Sequence, residues 1–385
     1  MTLPRTLRSS AFLLAAVPFF GIATGALFPI VALRLEELGL PKGLVGAATS
    51  LYYVGALLGA VTYGAVIRRV GYRAGFAGAA LIAAAATLGL TASEDAAAWL
   101  VLRLAGGYAL GAYYATVDSW VQALGDRSTR GTLFAIYETI RLAATAVGPA
   151  LLIWGVLQQS LLLVAAAYVV AILPAWLNPP PEEARLKRFD WHGMAQIARC
   201  LPLPLVVAFC GGAANASFYG LSAIYAGGIG LAPATLALFV ACVLVAPAIV
   251  GVPLGALADR TRRMAVAAGC AAVALTVALL LASLGTPPVW LSIGGGMVVG
   301  GLLVPLYALG LSRMTDAVGE TDALAAATAG LLAYNLGAFA GPAVTGVAMQ
   351  AVGPIGLYAS LATVAAIAAA AALADLAPGR CCAET

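Results

Sequence analysis

Four ionisable residues lie within long apolar stretches of the sequence, namely Arg103, Asp118, Glu138 and Arg141. A charge inside a membrane-spanning helix is costly, so each of them indicates function. Glu138 and Arg141 are three positions apart and can pair on one helix face. Burial disfavours an ionised carboxylate and a guanidinium favours it, so a change of partner for Arg141 would let Glu138 bind or release a proton. We therefore predict Glu138 as the proton carrier, with Asp118 as second choice; a static structural pair is the alternative.

Uncharged polar residues in other apolar stretches predict the walls of a substrate cavity. One wall adds tyrosines to the charged residues, and the other has amides and tyrosines without charge. Such a cavity suits an amphiphilic or weakly charged organic solute, although ordinary hydrogen bonds between helices explain the same residues equally well. The predicted cavity residues are Tyr52, Tyr53, Tyr114, Tyr137, Asn215, Tyr219, Tyr307, Tyr334 and Asn335.

The composition requires a lipid environment for the helices that carry these residues. Of 385 residues, 63% are hydrophobic and 9% are charged, against roughly 25% charged in an average soluble domain. A stretch of about 20 apolar residues spans a bilayer as a helix. The sequence divides into twelve such stretches, at residues 11–33, 44–66, 74–92, 97–121, 131–154, 160–177, 202–226, 234–257, 264–284, 289–311, 323–348 and 354–374.

The distribution of basic residues predicts the orientation. With the N-terminus in the cytoplasm, 16 of the 20 Lys and Arg fall in cytoplasmic segments, and the external loops hold only Arg34 and Lys42. This bias predicts that both termini are cytoplasmic. There is no basic patch interleaved with aromatic residues, so we expect no nucleic-acid partner.

The chain reads as two halves joined by a hydrophilic linker. We predict a six-helix bundle at 1–177, a cytoplasmic linker at 178–200 and a second six-helix bundle at 201–385. Gly39-Leu40 recurs as Gly230-Leu231, 191 positions later, and Gly148-Pro149 recurs as Gly341-Pro342, 193 positions later. Nearly equal offsets indicate an internal repeat, as in transporters built from two parallel halves.

Several function classes find no support in the sequence. The single histidine, His192, lies in the linker without a nucleophile pattern around it. There is no phosphate-binding Walker loop, and the six cysteines have neither zinc nor redox spacing. We expect neither an enzyme nor a cofactor, and no metal site.

Six segments together carry a family pattern: 64–73, 118–120, 131–137, 255–263, 305–311 and 335–342. With them the sequence resembles the major facilitator superfamily over its whole length, and within it the small bacterial carriers called YcaD-like. The resemblance implies an all-α integral membrane fold of two pseudo-symmetric six-helix bundles. It also implies secondary transport by alternating access, in a monomer of the bacterial inner membrane.

The superfamily's loop motif, G-x-L-x-D-R-x-G-R-R, implies a cytoplasmic gate. The copy at 255–263 keeps Asp259 and Arg260, and the resemblance implies that Asp259 latches onto the start of the fifth span, where the helix dipole favours an anion. The copy at 64–73 keeps Arg69 but has Arg68 in place of the acid. We hypothesise a charge-swapped latch from Arg68 to Glu320 or Asp322; the alternative is that Arg68 is an ordinary cytoplasmic loop charge.

Two further motifs bear on coupling and direction. Arg103, Gly107 and Gly111 resemble the R-x-x-x-G motif of the fourth span, whose arginine is associated with coupling in proton-driven members. Gly148-Pro149 resembles half of a fifth-span motif, G-x-x-x-G-P-x-x-G-G, that is associated with exporters. We therefore predict proton-coupled efflux of a small organic solute, with proton-coupled uptake of a small nutrient as the alternative.

Overall fold

The computed structural model describes residues 3–124, 129–154, 156–181, 191–318 and 322–377, and every regular element within these ranges is a helix. In the first half of the chain they are α1 (Leu3–Glu37), α2 (Lys42–Ala92), α3 (Ala96–Leu124), α4 (Arg130–Val147), the 3-10 helix η1 (Gly148–Trp154), α5 (Leu157–Val170) and α6 (Ile172–Leu177). In the second half they are α7 (Trp191–Cys200), α8 (Pro202–Gly228), α9 (Pro233–Arg260), α10 (Arg263–Leu284), α11 (Val289–Leu303), α12 (Leu306–Val318), α13 (Ala323–Val352) and α14 (Gly356–Leu376).

These helices account for the twelve predicted membrane passes. Among the described residues, ten helical segments are long and apolar enough to cross a membrane. One is α2, whose 51 residues would measure about 76 Å as a straight helix. Because the apolar core of a bilayer is about 30 Å thick, α2 must cross twice, and its backbone breaks at Gly71 (φ 80°). Together with α3, which carries Arg103 and Asp118, the passes number twelve, and the predicted fold class is confirmed.

The helices form two compact units. The first contains residues 1–40, 51–188 and 233–241, and the second contains 41–50, 189–232 and 242–385. The boundaries therefore run through α2 and α9. In each of these two helices, the first turns belong to one unit and the remaining turns belong to the other. In the second unit, the backbone N–H of Gly43 donates to Oε1 of Gln350 at 3.2 Å. The division at 178–200 stays a prediction of domain boundaries.

The turns that follow α1 and α8 have the same backbone geometry. Gly39 and Gly230 both have a left-handed backbone, with φ of 71° and 79°. The N–H of Leu40 donates to the carbonyl of Leu35, and the N–H of Leu231 donates to the carbonyl of Ala226. Both bonds close a helix by the same glycine C-cap, so the predicted repeat is confirmed at these two turns.

The two copies of the loop motif differ where their sequences differ. Gly71 adopts a positive φ, which glycine tolerates, and the chain re-enters a helix immediately. The second copy has Arg262 in place of that glycine, and the turn is made by extended residues instead: Thr261 has φ −136° and Arg262 has φ −72°. The loop predicted at 64–73 is thus helical except at this one break.

Close helix packing fixes α3 against α2. A Cβ atom placed on Gly107 would lie 1.8 Å from the carbonyl oxygen of Tyr52, and one on Gly111 would lie 2.0 Å from that of Ala56. A Cβ atom on Gly55 would likewise lie 2.0 Å from the carbonyl oxygen of Leu104. Small residues let membrane helices approach this closely, so the glycines set where Arg103 lies.

The stretch predicted as a linker contains structure. Helix α7 buries Ile197 against Met314, Ala325 and Ala326 of the second unit. At the other end of the stretch, Asn178 is fully buried. Its Oδ1 accepts a hydrogen bond from the N–H of Leu13 at 3.1 Å. Its carbonyl accepts another from Nε of Arg73 at 3.0 Å. Both ends of the predicted linker therefore pack against helices, and the linker itself stays a prediction.

We expect Gly107→Ala to destabilise the protein, because the new methyl group collides with the backbone of Tyr52. Overpacking of this kind costs about 1–3 kcal/mol. Thermal unfolding of the purified protein in detergent measures the effect as a lower midpoint.

The matched control is Gly269→Ala in α10, where the added Cβ meets nothing within 4 Å. This change gains helix propensity of about 1 kcal/mol and leaves the midpoint equal or higher. If the two variants had the same midpoint, α2 and α3 would not be packed as described.

Candidate functional site

Glu138 and Arg141 form an ion pair on one face of α4. Nε of Arg141 donates to Oε2 of Glu138 at 3.0 Å. Nη1 of Arg141 also donates to the hydroxyl of Tyr114 on α3 at 3.2 Å. The guanidinium carbon lies 5.5 Å from the centre of the Tyr114 ring, within range of a cation–π contact. The i, i+3 spacing thus gives the predicted pair, and the tyrosine joins it to a second helix.

Asp118 on α3 joins the same cluster through Tyr137 on α4. The hydroxyl of Tyr137 donates to Oδ1 of Asp118 at 2.9 Å. Tyr137 is fully buried, and so is Tyr113 beside Tyr114. The structure therefore brings together five predicted residues, which we call the Glu138 cluster: Tyr114, Asp118, Tyr137, Glu138 and Arg141.

The charged side chains of Glu138 and Arg141 are partly exposed, whereas the Tyr137 phenol that donates to Asp118 is buried. The Glu138 side chain is 32% exposed and that of Arg141 is 18% exposed, whereas Tyr137 has no exposed surface. The guanidinium of Arg141 can compensate the charge of the Glu138 carboxylate when that carboxylate is ionised. The two side chains therefore form a charge pair whose atoms are partly exposed.

The structure places Arg103 away from this cluster. Residues 103 and 118 are both on α3, and their separation in sequence corresponds to about 22 Å along the helix. Arg103 is 1% exposed. Its guanidinium carbon lies 4.2 Å from the ring centre of Tyr52 and 4.9 Å from that of Phe28. Arg103, which shares only a predicted coupling role with Glu138 and Arg141, is thus not brought together with them.

The aromatic surroundings of Arg103 come from three other helices. Tyr52 and Tyr53 of α2 are 1% and 8% exposed, so both predicted cavity residues are buried beside Arg103. Tyr53 and Tyr168 also act electrostatically on the guanidinium. We call Phe28, Tyr52, Tyr53 and Tyr168 the Arg103 cage. Phe28 and Tyr168 were missed from the sequence because nothing in their spacing marks a contact with α3.

In the second unit, three of the five predicted cavity residues meet. Nδ2 of Asn215 on α8 donates to the hydroxyl of Tyr334 on α13 at 2.6 Å. The ring of Tyr307 on α12 lies 4.9 Å from that of Tyr334. Asn335 instead donates to the carbonyl of Leu331 on its own helix. Tyr219 is partly buried on α8, one turn beyond Asn215.

The predicted gate residues differ in their exposure and in their contacts. Oδ1 of Asp259 accepts a hydrogen bond from Nη1 of Arg263 at 3.0 Å, and Arg263 also pairs with Asp316. Arg260, Arg68 and Arg69 are exposed. Asp322, also exposed, precedes α13 without a capping hydrogen bond from its side chain, and Glu320 lies outside the described residues. The latches predicted for Asp259 and Arg68 stay predictions.

Sequence reasoning also missed an ion pair further along the second unit. Nε of Arg313 on α12 donates to Oδ2 of Asp375 on α14 at 3.0 Å. The predicted tenth span ended at residue 311, so Arg313 counted as a loop charge, whereas the helix continues to Val318. Within the described ranges, no three His, Cys, Asp or Glu side chains are grouped so that they could hold a metal ion.

Comparisons with known proteins agree on one family. The sequence profile of the Major Facilitator Superfamily matches residues 13–239. An uncharacterized MFS-type transporter of Yersinia pestis (strain Pestoides F) is 27% identical over an alignment of 361 residues, and the match covers 89% of each chain. The uncharacterized MFS-type transporter YcaD of Salmonella arizonae is also 27% identical, over 349 residues and 89% of each chain.

Solved structures share the fold at much lower identity. A mutant of the nucleoside transporter NupG superimposes with a TM-score of 0.79 at 12% identity, over 94% of this chain and 98% of that one. A bacterial homolog of the human lysosomal transporter Spinster, inward-facing and unoccupied, has a TM-score of 0.76 at 13% identity, over 97% and 96% of the two chains. With its profile match over more than half of the sequence, this chain belongs to the Major Facilitator Superfamily of membrane transporters.

Proposed function

We propose that this transporter moves a small organic solute by alternating access and couples that movement to protons, with Glu138 as the proton-binding group. One observation carries the proposal: an ion pair between Glu138 and Arg141 lies in a helix that crosses the membrane. A purely structural pair is an expensive device in that environment. Here the carboxylate is also partly exposed, which a proton-binding group requires.

The cluster suggests how the proton is gated. Arg141 has two partners in reach, the Glu138 carboxylate and the Tyr114 hydroxyl. When Arg141 turns from Glu138 towards Tyr114 or a bound solute, the carboxylate loses its counter-charge and takes up a proton from water. When Arg141 returns, the proton is released. Asp118, held by Tyr137, is the second carboxylate in reach of this exchange.

We propose export as the direction and the bacterial inner membrane, with both termini in the cytoplasm, as the location. The pair Gly148-Pro149 supports export through its resemblance to the exporter motif. At this pair α4 changes to the 3-10 helix η1. A proline lacks the N–H that continues an α-helix. A Cβ atom on Gly148 would lie 2.4 Å from the backbone nitrogen of Ala26, so α1 packs directly against this change.

Alternating access places a demand on the first turns of α2. Residues 41–50 group with the second unit, and the rest of α2 groups with the first. A Cβ atom on Gly46 would lie 2.2 Å from the carbonyl oxygen of Pro342 on α13, and one on Gly43 would lie 3.8 Å from Cγ2 of Val347. If the units move during transport, this segment must leave α13 or α2 must bend.

We predict that Glu138→Gln abolishes proton coupling, because the amide keeps the shape of the side chain but cannot be protonated. The measurement uses proteoliposomes with an imposed pH gradient and a panel of organic cations, dyes, carboxylates and small nutrients. Wild-type protein should move protons with one class of these compounds, and the variant should not.

The matched control is Glu94→Gln, which alters an exposed glutamate outside the helices and should couple as the wild type does. Retained coupling in Glu138→Gln would reject Glu138 and move attention to Asp118→Asn. If a compound moved protons only during its transport into the cell, the direction of transport would be uptake and not efflux.

We predict that a disulfide between residues 43 and 347 stops transport. The double variant Gly43→Cys with Val347→Cys is made in a background in which the six native cysteines are replaced. Oxidation should remove transport and a reductant should restore it, because the cross-link holds residues 41–50 on α13. The single variant Gly43→Cys should be indifferent to the oxidant. Full transport by the cross-linked protein would contradict release of this segment from α13 and would mean that α2 bends instead.

A further inference from the structure

The Arg103 guanidinium is buried without an acceptor for its hydrogens. Its Nε, Nη1 and Nη2 atoms are all buried, and none has a hydrogen-bond partner among the residues that the structure describes. No ion pair within the described ranges includes Arg103. The groups that act on it electrostatically are the hydroxyls of Tyr52, Tyr168 and Tyr53. A buried cation with unsatisfied donors is unstable unless it has an anionic partner.

The Arg103 cage stabilises the charge but satisfies none of its donors. Phe28 and Tyr52 contact the cation through ring faces at 4.9 and 4.2 Å. A cation–π contact attracts the charge without accepting a hydrogen bond. The forked N–H groups of arginine match a carboxylate, which accepts two parallel hydrogen bonds. The group that Arg103 lacks is therefore a planar anion.

Contacts between helices hold Arg103 and its cage in this closed arrangement. Gly107, one turn further along α3, lies against the backbone of Tyr52. The same contact holds the Tyr52 ring beneath the guanidinium. On the other side of the cage, the hydroxyl of Tyr168 lies 3.4 Å from that of Thr24.

We propose that Arg103 and its cage form the anion subsite of the cargo, and that the cargo is an organic acid. The carboxylate accepts two hydrogen bonds from Arg103, and the apolar body of the molecule packs against Phe28 and Tyr52. Because Arg103 is 1% exposed here, binding selects a conformation in which the cage is open. The proposal names a substrate class for the proposed transport function and rests on it.

The test compares small aromatic carboxylates with amides of the same shape, namely benzoate with benzamide and nicotinate with nicotinamide. Thermal unfolding of the purified full chain in detergent is followed with each compound at millimolar concentration. A ligand that binds the folded protein alone raises the midpoint. We expect at least one carboxylate to raise it by several degrees and its amide to leave it unchanged.

Arg103→Lys supplies the second arm, because lysine keeps the charge but cannot form the bidentate pair. We expect the affinity for the stabilising carboxylate to fall by about tenfold or more, which corresponds to about 1.4 kcal/mol. The control is Arg34→Gln, which removes an arginine that already pairs with Glu37; it should bind as the wild type does.

The proposal is overturned if no carboxylate differs from its amide in the wild type, or if Arg103→Lys keeps full affinity. The wild-type comparison decides alone if Arg103→Lys does not fold. Glu138→Gln should retain carboxylate binding, because Glu138 is outside the cage. Binding that persists while proton coupling is absent would therefore reject the proposed coupling and leave the anion subsite standing. If the protein transported only cations or neutral compounds together with protons, the anion subsite would be rejected and the proposed coupling would stand.

Discussion

The cost of an ionised side chain inside a membrane governs this structure. Lipid supplies no hydrogen bonds and little screening, so a charge there needs a partner from the protein or from a ligand. Glu138 and Arg141 meet this need in each other, and Tyr114 gives the arginine a second acceptor. Arg103 meets it only in part, through the faces of Phe28 and Tyr52. The two sites therefore differ in charge: one pairs a carboxylate with a guanidinium, and the other holds a guanidinium against ring faces.

Both sites depend on how closely the helices approach. Glycines on α2 and α3 bring the two backbones into contact, and this contact sets Arg103 over Tyr52. Gly148, the first residue of η1, lies against α1 at the point where α4 changes helix type. In the second unit, a Cβ atom on Gly212 would lie 2.0 Å from the carbonyl oxygen of Tyr334, the partner of Asn215. Glycines thus position the polar side chains indirectly, because they let the helix backbones approach closely.

The sequence predicts these features to different depths. Long apolar runs define the helices because the membrane demands their length, and observed ends such as Pro202 of α8 agree with the predicted ones. Local spacing predicts the Glu138–Arg141 pair. The contact of Asp118 with Tyr137 follows from a short connection between neighbouring helices. The Arg103 cage does not follow, because its rings come from α1, α2 and α5 and depend on packing between them.

Composition does not reveal the packing at the two ends of the predicted linker. The stretch after residue 177 is polar on average, yet Asn178 is buried and α7 covers Met314 with an apolar face. A ten-residue amphipathic helix is too short to stand out from a charged stretch by composition alone.

The most direct measurement of the central claim is infrared difference spectroscopy of the purified protein in lipid as the pH is changed. A side-chain carboxylic acid has a carbonyl stretch that its carboxylate lacks. All 16 acidic side chains contribute to this signal as they are protonated. We predict that Glu138→Gln removes a component whose frequency differs from that of the component removed by Glu94→Gln, because Glu138 lies beside Arg141 and Glu94 is exposed. If the signal were unchanged in Glu138→Gln, Glu138 would not be the group that binds the proton, and its pair with Arg141 would be structural.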